Sequence, residues 1–151
     1  MKISLHKKYT EYAIIIILVL FAIFSRNILA YLTGSNVPLA VVEGYSMCPT
    51  LRQGDLIIAY KPSPEDIHVG DIIIYKDYRG TLIIHRVIEV LRRGNKYYYI
   101  TKGDNNPYRD PMDVPYERVE GKIITINNNI VIKIPYLGYL SLWSHGMGHA
   151  F

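Results

Sequence analysis

Ser46 lies in a short stretch whose neighbours restrict the backbone, Gly44-Tyr45-Ser46-Met47-Cys48-Pro49. Pro49 fixes its own φ and holds the residue before it extended, while Gly44 permits close approach of a backbone or a substrate. A serine held on such a turn after a predicted strand is a candidate nucleophile for acyl transfer. An ordinary loop serine is the alternative, and this stretch alone leaves both interpretations open.

A nucleophilic serine needs a base, and His85 is the histidine placed within a predicted strand, 81–91. An imidazole titrates near neutral pH, which suits a general base. Alternation along the strand puts Ile83, His85 and Val87 on one face, so a buried structural histidine is the competing interpretation. The remaining histidines lie in loops or near the termini: His6, His68, His145 and His149.

A histidine base requires a carboxylate that fixes its tautomer and stabilises its charged form. The turn-rich segment 101–110 offers Asp104 and Asp110. Gly-Asp-Asn-Asn is also an ordinary turn sequence. The three weak signals form a catalytic triad only if the fold brings them together.

The elements that must position these residues are short strands. β-Branched runs between turn signals predict seven of them beyond Gly34, with hairpin turns at 92–95 and 127–129. They cover 40–43, 56–60, 71–76, 81–91, 96–102, 121–126 and 130–134. Seven short strands in so few residues predict a mainly β, folded-over antiparallel sheet.

Composition limits the partners of this domain. The chain has 151 residues, 50% of them hydrophobic, which suffices for one domain with a core. Cys48 is the single cysteine, so no intrachain disulfide can form. Of the net charge of +4, residues 1–32 carry +3, so the remainder is nearly neutral and nucleic acid is not an expected partner.

An unbroken apolar run at 13–24 follows Lys2, Lys7 and Lys8. Extended to 12–32, it is long enough to predict a transmembrane anchor. The lysines predict a cytoplasmic segment at 1–11 and an extracytoplasmic domain at 33–151, in a single-pass protein of the cell membrane. A cleavable signal peptide and a buried helix are the alternatives; no small-residue cleavage pattern supports the first and no polar face supports the second.

The C-terminal tail, 134–151, is apolar and aromatic but too short to span a bilayer. It predicts either an interfacial segment pressed onto membrane lipid or a last segment packed on the sheet. His145 and His149 have the spacing of helical metal ligands, but Gly146 and Gly148 disfavour a helix, so no metal site is expected.

Five short boxes together resemble those of type I signal peptidases, in order and in spacing. They are Ser46-Met47-x-Pro49-Thr50-Leu51, Gly54-Asp55-Leu56, Gly70-Asp71, His85-Arg86-Val87-Ile88, and Gly103-Asp104-Asn105-Asn106 with Asp110. Bacterial members carry a lysine where this chain has His85, so the resemblance is to the archaeal and endoplasmic-reticulum type. It implies a mostly antiparallel β fold.

The resemblance also implies roles for the site residues. Ser46 would be the nucleophile, His85 the general base and Asp110 the acid of the triad, while Asp104 matches the family's second aspartate and stays a rival for the acid. Many members have a serine where this chain has Gly44, so oxyanion stabilisation would use backbone groups, including the N–H of Ser46. The reaction requires no metal and no cofactor.

The implied substrates are exported preproteins, cut after small residues in an Ala-x-Ala pattern. The segment before the cut is expected to add as a strand, and other membrane subunits stay an open question. The predicted contacts are Val41, Val42, Glu43, Leu82, Ile83 and Ile84.

Two other functions compete with this one. A self-cleaving repressor would need a DNA-binding segment and a lysine base, which the chain does not show. A non-catalytic, membrane-tethered β module that binds extended peptides is the second alternative.

Overall fold

A computed structural model describes residues 2–126 and 130–139 of the chain. It divides the chain into two compact units, Met1–Leu32 and Thr33–Phe151. The turn predicted at 127–129, the two C-terminal histidines His145 and His149, and most of the tail lie outside the described residues.

The first unit is one long helix. Helix α1 spans Lys2–Thr33 and includes the apolar run. Side chains such as Ile17 and Phe21 are 64% and 65% exposed. In the part of the chain that the structure describes, no helix combines the length and the apolarity needed to cross a membrane.

The second unit is mainly β, as the sequence predicts, and its strand pairs are antiparallel. The described strands are short: β1 Leu39–Val41, β2 Leu56–Tyr60, β3 Ile72–Lys76, β4 Leu82–Arg93, β5 Lys96–Lys102, β6 Val114–Pro115, β7 Val119–Ile123, β8 Thr125–Ile126, β9 Ile130–Val131 and β10 Lys133–Ile134. Within the described residues, two 3₁₀ turns occur, at Pro64–Asp66 and Tyr116–Arg118.

One sheet contains eight of these strands, in the order β1-β2-β7-β3-β4-β5-β6, with β10 also paired to β2. Strands β8 and β9 form a separate pair. Strand β4 continues past β3 to pair with β5, and a register shift interrupts that pairing between Val87 and Glu89. Such a shift bends the strand and increases its twist.

Strand β3 is buried on both faces because two hydrophobic cores lie on its opposite sides. Ile72 and Ile74 belong to the first core, and Ile73 and Tyr75 belong to the second core. This explains why the segment is a continuous apolar run rather than an alternating one. Since His85 is directly opposite Ile73, its side chain shares the face of the second core.

The strand predictions differ from the structure mainly at the ends. The predicted strand 121–126 is divided into β7 and β8, and 130–134 into β9 and β10. Strand β6 was not predicted, because Val114–Pro115 is only two residues long and contains proline, which strand propensities disfavour. Strand β4 continues to Arg93, so the hairpin turn is shorter than the predicted 92–95.

Candidate active site

Ser46 is presented on a tight turn fixed to the core beneath it. The N–H of Cys48 donates to the carbonyl of Tyr45, and the N–H of Leu51 to that of Met47. Met47 and Leu51 are buried in the first core, at 2% and 0% exposure. The turn leaves Ser46 half-buried at the surface.

A row of side chains begins at this serine. The hydroxyl oxygen of Ser46 lies 3.1 Å from Nε2 of His85. On the other side of the ring, Nδ1 of His85 lies 2.7 and 2.9 Å from the two carboxylate oxygens of Asp110. With a proton on Nδ1 donated to the carboxylate, Nε2 is left to accept from the serine hydroxyl.

Two neighbouring hydroxyls hold the carboxylate of Asp110. Thr101 Oγ1 donates to Oδ2 of Asp110 at 2.5 Å, and Tyr75 Oη donates to the same oxygen at 2.8 Å. Burial alone would raise the pKa of Asp110, but the hydrogen bonds from His85, Thr101 and Tyr75 outweigh it and lower the pKa. Asp110 is therefore an ionised acceptor at neutral pH.

Asp104 lies beside this row but forms a different set of contacts. Its carboxylate accepts from Nε and Nη2 of Arg86, at 2.8 and 2.7 Å, and from the hydroxyl of Thr50 at 2.6 Å. Burial opposes ionisation of Asp104, yet the hydrogen bonds from Arg86 and Thr50 lower the pKa of Asp104. The hydrogen bond to Asp104 in turn raises the pKa of Arg86. Asp104 thus ties the serine turn to the strand that carries His85.

The loop before Asp110 packs directly against the serine turn. The N–H of Asn105 donates to the carbonyl of Ser46 at 2.8 Å. A Cβ at Gly103 would lie 2.7 Å from that same carbonyl oxygen and 2.9 Å from Nε2 of His85. Only glycine leaves room for the serine backbone and the imidazole at this position.

A groove of about 680 Å³ opens at the row. Its lining includes Ser46, His85 and Asn106, together with all six predicted substrate-contact residues: Val41, Val42, Glu43, Leu82, Ile83 and Ile84. Val42 is almost fully buried, whereas Glu43 is exposed. Ile83 also packs against the second core, on the face of β4 opposite Leu82 and Ile84.

Several residues that complete the site had no role predicted from the sequence. Arg86 and Thr50 stand within the boxes that carry the family resemblance, so their positions were visible but their pairing with Asp104 was not. Tyr75 and Thr101 lie in strands and had no motif to distinguish them. Their shared contact with Asp110 depends on strand register, which local sequence patterns do not specify well.

A hydroxyl, an imidazole and a carboxylate in one row, beside a groove of peptide size on an antiparallel β domain, have the geometry of a serine peptidase. The sequence pattern of the family described as signal peptidase, peptidase S26, matches residues 9–91, more than half of the chain. The chain belongs to this family, and to the archaeal and endoplasmic-reticulum type of type I signal peptidase.

Similar proteins occur in archaea and eukaryotes. An uncharacterized protein of Methanocaldococcus jannaschii is 27% identical, with 77% of this chain and 87% of that protein covered. The signal peptidase complex catalytic subunit SEC11 of Plasmodium falciparum is 31% identical over 85% of this chain and 70% of its own length. That of Schizosaccharomyces pombe is 26% identical over 94% of this chain and 85% of its own length.

Proposed function

We propose that this protein is a membrane-anchored serine endopeptidase that removes signal peptides from exported preproteins. The observation that carries the proposal is the hydrogen-bonded row from Ser46 through His85 to Asp110, with distances of 3.1 Å and 2.7 Å. The row begins in the groove that suits an extended peptide. Family membership gives the substrate class, since the family is that of signal peptidases.

The first half of the reaction forms an acyl-enzyme. His85 Nε2 takes the hydroxyl proton as Ser46 Oγ attacks the scissile carbonyl, and Asp110 stabilises the imidazolium. Collapse of the tetrahedral intermediate breaks the peptide bond, and the imidazolium gives its proton to the departing amine. Water, deprotonated by His85, then attacks the ester, and Ser46 recovers its proton as the signal peptide leaves.

The negative charge on the tetrahedral intermediate requires hydrogen-bond donors. Within residues 2–126 and 130–139, the backbone N–H of Ser46 has no acceptor in the fold. Gly44, with φ at +81°, contributes no hydroxyl of its own. The Ser46 N–H is therefore the proposed oxyanion donor.

The free edge of β4 supports binding of the substrate as an added strand. The N–H and carbonyl of Val87 bond toward the β3 side, with Asp71 and Gly70. Because backbone groups alternate along an antiparallel strand, those of Leu82 and Ile84 point to the opposite edge. Strand β5 pairs with β4 from Arg86 to Arg93, so among the described residues the edge at Leu82 and Ile84 has no strand partner and can accept a peptide.

The groove walls favour small substrate side chains. Met47, Ile74 and Ile84 line it beside Ser46, and Ile74 and Met47 belong to the packed first core. A packed core resists the shifts needed to admit a bulky residue. Small residues at alternate positions before the cut, as in an Ala-x-Ala pattern, fit this surface.

The apolar sequence at 12–32 is the proposed membrane anchor, with the N-terminus in the cytoplasm and the β domain outside. Its apolar side chains from Ile14 to Phe21 are about half exposed or more, which favours contact with lipid. Confining enzyme and preprotein to one membrane would raise their effective concentration. Protease treatment of sealed, right-side-out cells should digest the β domain; complete protection would contradict this orientation.

The decisive experiment is cleavage of a membrane-tethered preprotein by the full chain. Ser46→Ala and His85→Ala should each lower cleavage by at least about 10³-fold, as for loss of a triad member. Ser63→Ala and His68→Ala, at exposed positions, are the matched controls and should retain activity. Normal cleavage by folded Ser46→Ala would exclude the proposal.

Labelling with an acylating, serine-directed probe distinguishes the enzyme from a peptide-binding module. The wild-type protein should form an adduct at Ser46 and Ser46→Ala should not. Peptide binding without any adduct would favour the non-catalytic β module.

A further inference from the structure

Three adjacent strands contribute to the surroundings of Asp110. Strand β3 supplies Tyr75, β4 supplies His85, and β5 supplies Thr101, all on the face of the second core. Each side chain lies within 3 Å of a carboxylate oxygen of Asp110. The backbone N–H of Asp110 also donates to the carbonyl of Thr101 at 2.8 Å.

The Tyr75 hydroxyl stays protonated and donates its hydrogen bond to Asp110. Tyr75 is 5% exposed, and burial raises the pKa of its phenol, so the group is a hydrogen-bond donor throughout the physiological range. The hydroxyl oxygens of Tyr75 and Thr101 lie 3.4 Å apart. Tyr99, a buried tyrosine of the same core, instead donates to the carbonyl of Pro64.

We propose that Tyr75 is a positioning residue of the active site, whose hydroxyl, with that of Thr101, fixes the Asp110 carboxylate against Nδ1 of His85. This inference rests on the proposed peptidase function. It adds to that function a fourth group, which contacts neither the substrate nor the serine and acts through Asp110.

The geometry of the carboxylate explains why such a group is needed. Nδ1 of His85 lies within 3 Å of both oxygens, so His85 by itself does not select one rotamer of Asp110. Tyr75 and Thr101 both contact Oδ2, and two donors on one oxygen remove the freedom to rotate.

A cavity of about 290 Å³ adjoins this contact and is lined by Tyr75, Asp110, Ile83 and Met112, among others. It is large enough to admit water. When the phenol oxygen is removed, water from the cavity can replace it on Oδ2. Water would satisfy the carboxylate without holding its orientation.

The test compares Tyr75→Phe with Tyr99→Phe in the full chain, using single-turnover cleavage of a tethered preprotein. Each change removes one buried phenol oxygen from the same core, but only Tyr75 reaches Asp110. Displacements approaching 1 Å in a catalytic array cost about 10²-fold in rate, so we expect Tyr75→Phe to lower the acylation rate by roughly 10- to 100-fold. KM should stay within about twofold, because ground-state peptide contacts are unchanged.

A second measurement separates positioning from a general loss of stability. In an Asp110→Asn background, Tyr75→Phe should cause little further loss in the rate of labelling by a serine-directed probe, since the two residues act through one contact. Fully additive losses would assign Tyr75 a structural role only.

A rate for Tyr75→Phe within threefold of that for Tyr99→Phe would overturn the inference. If Tyr75→Phe does not fold, Thr101→Val replaces it, and an unchanged rate in that variant would refute positioning of Asp110 through Oδ2. Failure of the peptidase assignment itself is recognised separately, because the wild type would then show no cleavage above that of Ser46→Ala.

Discussion

Substitution of Gly103 by alanine probes the closest packing in the site. The added Cβ would lie 2.7 Å from the carbonyl oxygen of Ser46, 2.8 Å from Nδ2 of Asn106 and 2.9 Å from Nε2 of His85, whereas ordinary contacts begin near 3.4 Å. The amide of Asn106 is the flexible end of a side chain and can yield. The serine carbonyl and the imidazole are both held by other hydrogen bonds, so at least one of those bonds must lengthen.

The size of the effect follows from these distances. Relief of the clash requires shifts of roughly half an ångström, and displacements approaching 1 Å in a catalytic array cost about 10²-fold in rate. We therefore expect Gly103→Ala to lower the single-turnover cleavage rate by roughly 10- to 100-fold. Overpacking should also lower the free energy of unfolding by about 1–3 kcal/mol.

Gly121→Ala is the matched control, because it also introduces a tight Cβ in the β domain. That Cβ would lie 3.0 Å from Oγ of Ser35 and 3.1 Å from Cβ of Ala59, at contacts that do not involve the row. We expect a loss of stability no larger than that of Gly103→Ala, measured by urea unfolding, with near-normal cleavage. Normal activity in folded Gly103→Ala would show that the observed approach of Gly103 to His85 does not matter for catalysis.

Two further predictions concern the charged side chains. Asp104→Asn should lower the free energy of unfolding by about 1–3 kcal/mol, because it weakens a two-pronged ion pair with Arg86; urea unfolding tests this, and an unchanged midpoint would contradict it. Hydrogen bonds from Asn36 and Lys76 lower the pKa of Glu120, against the effect of burial. The ionised carboxylate therefore stabilises the fold. This stabilisation is complete above the unfolded pKa of about 4.3 and is lost as pH falls through the lower pKa of the folded state. Thermal melts from pH 6 to pH 2.5 should therefore show a smaller acid-induced loss in Glu120→Gln than in the wild type, and parallel curves would refute this.

Much of the β domain follows from local patterns, and the limits of that prediction are physical. Strands β2 and β5 coincide with the predicted 56–60 and 96–102, because β-branched and aromatic runs there end at clear turn signals. The short strands β8, β9 and β10 were predicted as parts of longer strands, since strand propensity does not report where pairing stops. The roles of Asp104 and Asp110 could not be separated from the sequence, because both lie in one turn-rich loop.

The partners of the two aspartates explain why the loop contains both. Asp110 faces the second core, where His85, Tyr75 and Thr101 reach it, whereas Asp104 faces Arg86, the next residue along β4. Successive side chains of a strand point to opposite faces, so one strand presents a base on one side and an anchoring cation on the other.

The site therefore depends on the register of β3, β4 and β5 as much as on its motifs. His85 is opposite Ile73, and Val87 is opposite Thr101, which places Thr101 and Tyr75 on the face of the imidazole. A slip of one residue between these strands would move a whole set of side chains to the other face. Such a slip would move Ile73 out of the second core and bring a neighbouring residue from the first core into its place, so the burial of Ile73 disfavours the slip. Packing of β3 between two cores is thus what keeps the base and its carboxylate together.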